Sequence, residues 1–308
     1  NGNQLTYEIV FTSGDLYYKE DRTYDQRGNI LTSTNYGSLD SGNADLDNPT
    51  FVAISTFDEN GNQLSYNEDS DGDGLTDYQA VATYDEAGNQ SSFSRDGDEE
   101  SGGADGTFNY LQVFTYDDEG QVLTISIDGE SEPADGNIDY LSTFVYDENG
   151  NLMTASKDLN ADETIDYVEN YTYDEDGNIL TFSADGNEES GGADMVIDVS
   201  VALSYDENGN QLTYDQDGNF TTGGLDGTID YSSTTEYDNS GNTTYYSTDG
   251  NEETGGADGI EDYVERATYD DNGNILAYSV DGDSETGGAD GVVDVRYAYV
   301  YDMNGNLI

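Results

Sequence analysis

A five-residue motif, aromatic–Asp–x–x–Gly, recurs at ten near-regularly spaced positions in this chain of 308 residues and limits how the rest can fold. It begins at Tyr24, Phe57, Tyr84, Tyr116, Tyr146, Tyr173, Tyr205, Tyr237, Tyr269 and Tyr301. The successive spacings are 33, 27, 32, 30, 27, 32, 32, 32 and 32 residues. A near-constant period of this kind marks a repeat protein, in which one supersecondary unit recurs and stacks on its neighbours. The spacings of 27 and 32 differ by a five-residue insertion in a single acidic, glycine-rich loop.

The segments flanking each motif alternate with period two. Tyr167, Glu169, Tyr171 and Tyr173 share one face, and Val168, Asn170 and Thr172 the other. Val199, Val201, Leu203 and Tyr205 repeat the pattern, as do Val295, Tyr297, Tyr299 and Tyr301. After the motif, Leu180, Phe182 and Ala184 share a face, and so do Leu276, Tyr278 and Val280. β-Branched and aromatic residues dominate and no segment has helical spacing, so the fold class is all-β. Each unit of 27–33 residues reads as strand, turn, strand. Asn-Gly at the turn points to a tight hairpin, but Arg27, Ala87 and Glu119 stand before glycine in other copies and resist left-handed geometry. A four-residue connection with only glycine left-handed suits every copy, and even parity puts Tyr173 on the face of Leu180 and Phe182. One hairpin is not stable alone, so tandem hairpins are expected to stack into an elongated, solenoid-like array with a continuous tyrosine-rich core face.

The connecting loops carry the chemistry. The two shortest read DSDGDGLTD, with Asp69, Asp71, Asp73 and Asp77, and DLNADETID, with Asp158, Asn160, Asp162 and Asp166. The longer ones keep the opening spacing and the D-x-x-x-D ending, apart from the copy that ends in Asn109. They supply Asp96, Asp98 and Asp105; Asp128, Glu130, Asp135 and Asp139; and Asp185, Asn187, Asp194 and Asp198. Three more loops supply Asp217, Asn219, Asp226 and Asp230; Asp249, Asn251, Asp258 and Asp262; and Asp281, Asp283, Asp290 and Asp294. Alternate residues of a tight loop aim hard oxygens at one centre, and calcium takes roughly six to eight of them. Eight loops at corresponding positions are expected to bind calcium ions. Glu100, Glu189, Glu253 and Glu285 are candidates for a further ligand, and the degenerate first loop at residues 36–47 is expected to bind weakly or not at all.

Residues 69–74 match the opening of the EF-hand pattern, but Ala80 stands where that loop has its bidentate Glu. The nine-residue loops more closely resemble the D-x-D-x-D-G-x-x-D loops of thrombospondin type 3 repeats and dockerins, which implies calcium binding and no particular fold. The phrase YDENGNL resembles the YD repeats of RHS proteins, whose hairpins stack into long curling sheets. That likeness covers about seven residues per unit. It does not extend to the calcium loops, so the large shell of that family is not implied.

Composition narrows function. There are 68 acids, 7 bases and a net charge of −61, so nucleic acid and anionic membranes are repelled. Neither cysteine nor histidine occurs, which removes disulfides, zinc sites and catalysis by those residues. No transmembrane or leader segment is read, so direct membrane insertion is not expected. Paired carboxylates abound, yet they recur equivalently where an active site is singular, so no enzyme is expected. The expectation is a microbial extracellular or cell-surface structural protein: one continuous array over residues 1–308, with a degenerate first repeat region at 1–56. Its ends carry the same motif, which fits a window of a longer chain or a protomer joining head to tail with itself into a fibre. The alternatives are an adhesin shaft that binds glycans and a polyanionic mineral- or cation-binding protein. Glycans have acceptors at Asn89, Asn170, Asn219 and Asn242, and outward Thr83, Thr115 and Thr268 are open to O-linked sugars.

Overall fold

The computed structural model describes residues 4–10, 16–37, 47–97, 103–129, 134–187, 192–218, 225–250, 256–282, 288–302 and 306–308. They fall into two compact units, Asn1–Thr143 with Asn160–Asp162, and Phe144–Leu159 with Glu163–Ile308. Both are all-β, with no helix among the described residues.

In the first unit the strands from Gln4–Val10 to the start of Tyr140–Tyr146 each pair antiparallel with the next in sequence. The second unit repeats this from Leu152–Asp158 to Val295–Ala298. Two kinds of pairing alternate. Strands joined by the motif turn share a long register, as Tyr167–Tyr173 does with Ile179–Gly186. Strands joined by an acidic loop share a shorter one, with Thr181 to Ala184 facing Ala202 to Val199.

The expected sharing of faces holds, because Tyr171 lies opposite Phe182. The turn itself is one residue shorter than the four-residue connection. The main-chain N–H of Asp174 donates to the carbonyl of Asn178 at 3.0 Å, enclosing three residues, and Gly177 N–H returns to Asp174 at 3.2 Å. This is a type I turn followed by a left-handed glycine, Gly177 at φ +88°. A register shift at Thr172/Tyr173 adds back the missing residue, which is why parity survives. The same shift precedes the motif aromatic in the hairpins of Tyr24, Phe57, Tyr84, Tyr116, Tyr205, Tyr237 and Tyr269.

The motif aspartate explains the turn. Asp174 Oδ1 accepts the N–H groups of Asp176 and Asn178 at 2.9 and 2.8 Å, and Oδ2 accepts the Asn178 amide at 2.9 Å. Asp25, Asp58, Asp85, Asp147, Asp206, Asp238 and Asp270 do the same with the residue four places on. In several hairpins the motif tyrosine forms a tie to the hairpin before. Tyr116, Tyr173 and Tyr269 donate their hydroxyls to the carbonyls of Gln90, Leu152 and Thr243 at 2.7, 2.8 and 2.8 Å.

The core is one side chain thick. Val199 is 0% exposed, and Ala184, Val201, Tyr78, Tyr167 and Tyr231 are buried, while most other tyrosines are only half-buried. No second layer of secondary structure covers the aromatic face among the described residues, so the expected core face is a partial one. Four of the chain's bases lie over tyrosine rings: Lys19 on Tyr36, Arg95 on Tyr110, Lys157 on Tyr167 and Arg266 on Tyr245.

The turn aspartates Asp147, Asp174, Asp206, Asp238 and Asp270 are held below the usual 3.8 by the partner asparagine amide first and then by main-chain N–H groups. A depressed folded pKa contributes stability that is present above the unfolded value and lost as pH falls through the folded one. The turns are therefore expected to weaken only below pH 3.8. A carboxyl-carbon NMR titration should place the Asp174 midpoint below 3.8, and a midpoint at or above it contradicts the turn mechanism. Asp174→Ala is expected to lower the melting temperature more than Asp176→Ala in the same turn.

Candidate metal-binding loops

Each acidic loop starts at the last residues of one strand, where an aspartate turns back under the chain. In the long loops that first aspartate is buried: Asp96, Asp128, Asp185, Asp217, Asp249 and Asp281, with Asp96 2% exposed. Its carboxylate gathers the far side of the loop. Asp217 Oδ1 accepts Asp226 N–H at 3.1 Å and Oδ2 accepts Gly227 N–H at 2.8 Å. Asp96 holds Asp105 and Gly106, Asp128 holds Asp135 and Gly136, Asp185 holds Asp194 and Met195, and Asp249 holds Asp258 and Gly259. Asp281 accepts Asp290 N–H at 3.3 Å.

The next acid closes a smaller turn on the residue two ahead. Asp105, Asp135, Asp194, Asp226, Asp258 and Asp290 bond the N–H of Thr107, Asn137, Val196, Thr228, Ile260 and Val292. The closing acids Asp139, Asp198, Asp230, Asp262 and Asp294 accept the N–H of Gly129, Gly186, Gly218, Gly250 and Gly282 at 2.7–3.0 Å. The first, third and last positions thus share one pattern in most of the long loops, with Asn109 closing the loop that starts at Asp96. Asn187 is half-buried at the end of its strand pair. Asp98, Glu130, Asn219, Asn251 and Asp283 lie outside the described residues, as do Glu100, Glu189, Glu253 and Glu285.

The nine-residue loops follow the same logic in less chain. Asp69 bonds the N–H groups of Gly72 and Gly74, Asp71 that of Asp73, Asp73 that of Leu75, and Asp77 both the N–H and hydroxyl of Ser70. In the other short loop Asp158 accepts Glu163 N–H, Asn160 accepts Asp162 N–H, and Asp166 accepts Leu159 N–H. Asp69, Asp71 and Asp77 bring one carboxylate oxygen each to within 4.8 Å of one another. Asp73 is not among them. A carboxylate oxygen has two lone pairs, so a bond to a main-chain N–H leaves a donor position for a cation. The donors are all hard oxygens and partly exposed, which suits calcium and disfavours softer metals.

Successive loops touch through the main chain. The carbonyl of Asp77 accepts Ala104 N–H at 3.0 Å, and the carbonyls of Asp166, Asp230 and Asp262 accept those of Ala193, Ala257 and Ala289 at 2.9, 3.0 and 2.9 Å. This close approach fixes the glycine after the first aspartate. A Cβ on Gly218, at φ +85°, would lie 2.0 Å from the Asp198 carbonyl oxygen. These contacts are main-chain events and leave only the glycine as a trace in the sequence. The turn asparagines were also undervalued: Asn89 and Asn242, read as glycan acceptors, donate Nδ2 to Asp85 and Asp238 at 3.1 and 2.9 Å. Asn170 is exposed on its strand, and the exposed Thr83 and Thr115 share their hydroxyls with Ser92 and Thr124 across the hairpin at 2.6 Å.

No profile of a known protein family matches the chain. No curated protein matches it either. Solved structures share low similarity with it. TcdB2-TccC3 without its hypervariable C-terminal region aligns with TM-score 0.34 and 12% identity, over 92% of this chain and 19% of that one. The Photorhabdus luminescens Tc holotoxin pore aligns with TM-score 0.33 and 14% identity, over 99% of this chain and 18% of that one. A porin-like protein from Bacteroides uniformis aligns with TM-score 0.21 and 11% identity, over 96% and 92% of the two chains. The chain thus spans under a fifth of the toxin chains it matches. No helix among the described residues is long and apolar enough to cross a membrane.

Two loops depart from the rest, and in the short one at residues 158–166 Ala161 and Glu163 take left-handed geometry at φ +50° and +72°. Where six copies place a left-handed glycine, the long loop at residues 185–198 has Met195 at φ +71°, with its side chain 98% exposed. Met195→Gly is expected to stabilise the second unit by about 1 kcal/mol, since it removes a left-handed side chain that makes little contact. Gly218→Ala is expected to destabilise it by at least about 2 kcal/mol, through both the φ and the clash with Asp198. Thermal melts of the two variants check the pair, and a Met195→Gly melt below the parent's contradicts the strain.

Proposed function

We propose that the chain is a structural protein, a run of β-hairpins whose acidic loops bind calcium and so allow a highly charged strand array to serve as a fibre, filament or stalk outside the cell. The observation that carries this reading is uniformity. The buried aspartate, the small turn after it and the closing aspartate recur with the same main-chain bonds from loop to loop. Repetition without a singular constellation supports a structural role over an enzyme's. The carboxylates of Asp69, Asp71 and Asp77, within 4.8 Å of one another, support a cation at that loop. A net charge of −61 favours such a cation on general grounds, because like charges on a thin sheet repel. Loops built mostly from aspartate and main-chain oxygen suit the millimolar calcium of extracellular fluid.

Metal binding that requires a folded loop stabilises the fold by linkage. At low ionic strength, excess chelator is expected to lower the melting temperature and diminish the β signal in circular dichroism. Calcium, but not an equal ionic strength of sodium, should restore both. An unchanged melt in chelator rules out calcium as a structural element.

Assembly is a separate element of the reading. Calcium is expected to raise the mass measured by light scattering at dilute protein, through joining of hairpin arrays by strand pairing. A particle whose mass stays constant as calcium rises rules out self-assembly and leaves a stalk formed by a single chain.

A further inference from the structure

We propose that seven tyrosines of the second unit form a file that passes one-electron oxidation across its strands. Tyr214, Tyr231, Tyr246, Tyr263, Tyr278 and Tyr297 come one from each of six successive strands, and Tyr299 follows the last. The ring centroids of Tyr214 and Tyr231 lie 5.9 Å apart, those of Tyr246 and Tyr263 6.4 Å, those of Tyr278 and Tyr297 6.4 Å, and those of Tyr297 and Tyr299 6.3 Å. Polar atoms make the two remaining junctions. The hydroxyl oxygens of Tyr231 and Tyr246 are 3.5 Å apart. Tyr263 and Tyr278 both donate to Oε1 of Glu265, Tyr278 at 2.5 Å.

A tyrosine gives up an electron readily only when its phenolic proton leaves with it. Glu265 stands where that proton can go. An external one-electron oxidant takes the electron of Tyr263, the O–H bond breaks, and the proton passes to the Glu265 carboxylate. The products are a neutral tyrosyl radical, a carboxylic acid and the reduced oxidant. In the next step Tyr263 regains an electron from Tyr278 and its proton from Glu265, while Tyr278 gives its own proton to Glu265. The radical has then moved one strand, with charge and protons conserved. Burial and then the Glu265 carboxylate push the Tyr278 hydroxyl up, so this phenol holds its proton at neutral pH. The chain has no tryptophan and no cysteine, which leaves tyrosine as the favoured resting place for an oxidising equivalent. The path depends on ring placement and stands apart from any metal in the loops.

The absence of cysteine also makes a site-specific test possible. Thr234, exposed on strand Tyr231–Tyr237, is changed to Cys and labelled with a photo-oxidisable ruthenium polypyridyl complex. Tyr297 is replaced by 3-aminotyrosine, whose radical is spectroscopically distinct and forms at lower potential. Four strand spacings of about 4.8 Å separate the two strands, roughly 19 Å, too far for an efficient single jump. A flash is expected to produce the aminotyrosyl radical in the parent. Its yield should fall by about tenfold or more, a barrier increase of about 1.4 kcal/mol, when Tyr246→Phe or Tyr263→Phe breaks the file. Tyr245→Phe, on the opposite face of the same strand, should leave the yield unchanged. Glu265→Gln should slow transfer and alter its solvent deuterium isotope effect, which a packing role alone would not. Circular dichroism confirms that each variant folds. Two results overturn the proposal: no aminotyrosyl radical in the parent, or a yield indifferent to both file-breaking variants with the fold intact.

Discussion

Aspartate carboxylates accepting main-chain N–H groups hold this protein's connections together. At one end of each hairpin, an aspartate such as Asp174 closes the motif turn with the residue four positions on. At the other end, an aspartate such as Asp217 spans the acidic loop and fastens its far side. An ionised acceptor forms shorter and stronger bonds than a neutral one, so short connections without a core of their own become well defined. Tight control of the connections sets the strand register, and register decides which residues reach the aromatic face.

This solution has an electrostatic consequence. Every connection adds carboxylates, and the total reaches 68 acids against 7 bases. The few bases are drawn into the sheets, where Lys19 and Arg22 pair with Asp21 and Glu20, and Arg95, Lys157 and Arg266 lie on tyrosine rings. They do not neutralise the loops. Consecutive loops nevertheless approach closely enough to hydrogen-bond through Asp166 and Ala193, or Asp230 and Ala257. The arrangement brings acidic segments together as a condition of the fold, and this is the physical ground for the proposal that they bind a cation.

The second consequence concerns the sheet faces. A sheet without a covering layer cannot bury a large aliphatic core, and tyrosine suits such a surface because one end of the ring is apolar and the other polar. Its hydroxyls then take on structural work. Some bond the main chain of the preceding hairpin, as Tyr116 does with Gln90, and others bond carboxylates, as Tyr167 and Tyr171 do with Glu169 at 2.6 and 2.8 Å. Rings repeated at matching positions of consecutive strands fall into contact with one another, so the file across the second unit follows from the repeat itself.

Much of this was legible in the residues. The all-β class, the hairpin unit, the alternation of turn and acidic loop and the sharing of a face by Tyr171 and Phe182 all follow from period two and from the spacing of the motif. In every loop the third and last positions stand four residues apart, with Asn109 in place of the last aspartate in one copy, and the insertion falls before them. The turn length was misjudged because two effects cancel: a three-residue connection loses one residue and the adjacent bulge restores it, so facing parity does not separate the two readings. The asparagine ending each turn reads as solvent-facing or as a glycan acceptor until the Asp–Asn pair is seen closing the hairpin. The sequence by itself determined the repeat, the strands, the charge and the hard-oxygen character of the loops, because these depend on local order and composition. Tertiary structure alone decided that loops bond one another through main-chain carbonyls, and that Glu265 lies between two phenols. Those relations join residues from different strands and loops, and their distances depend on register and twist, which no single segment encodes.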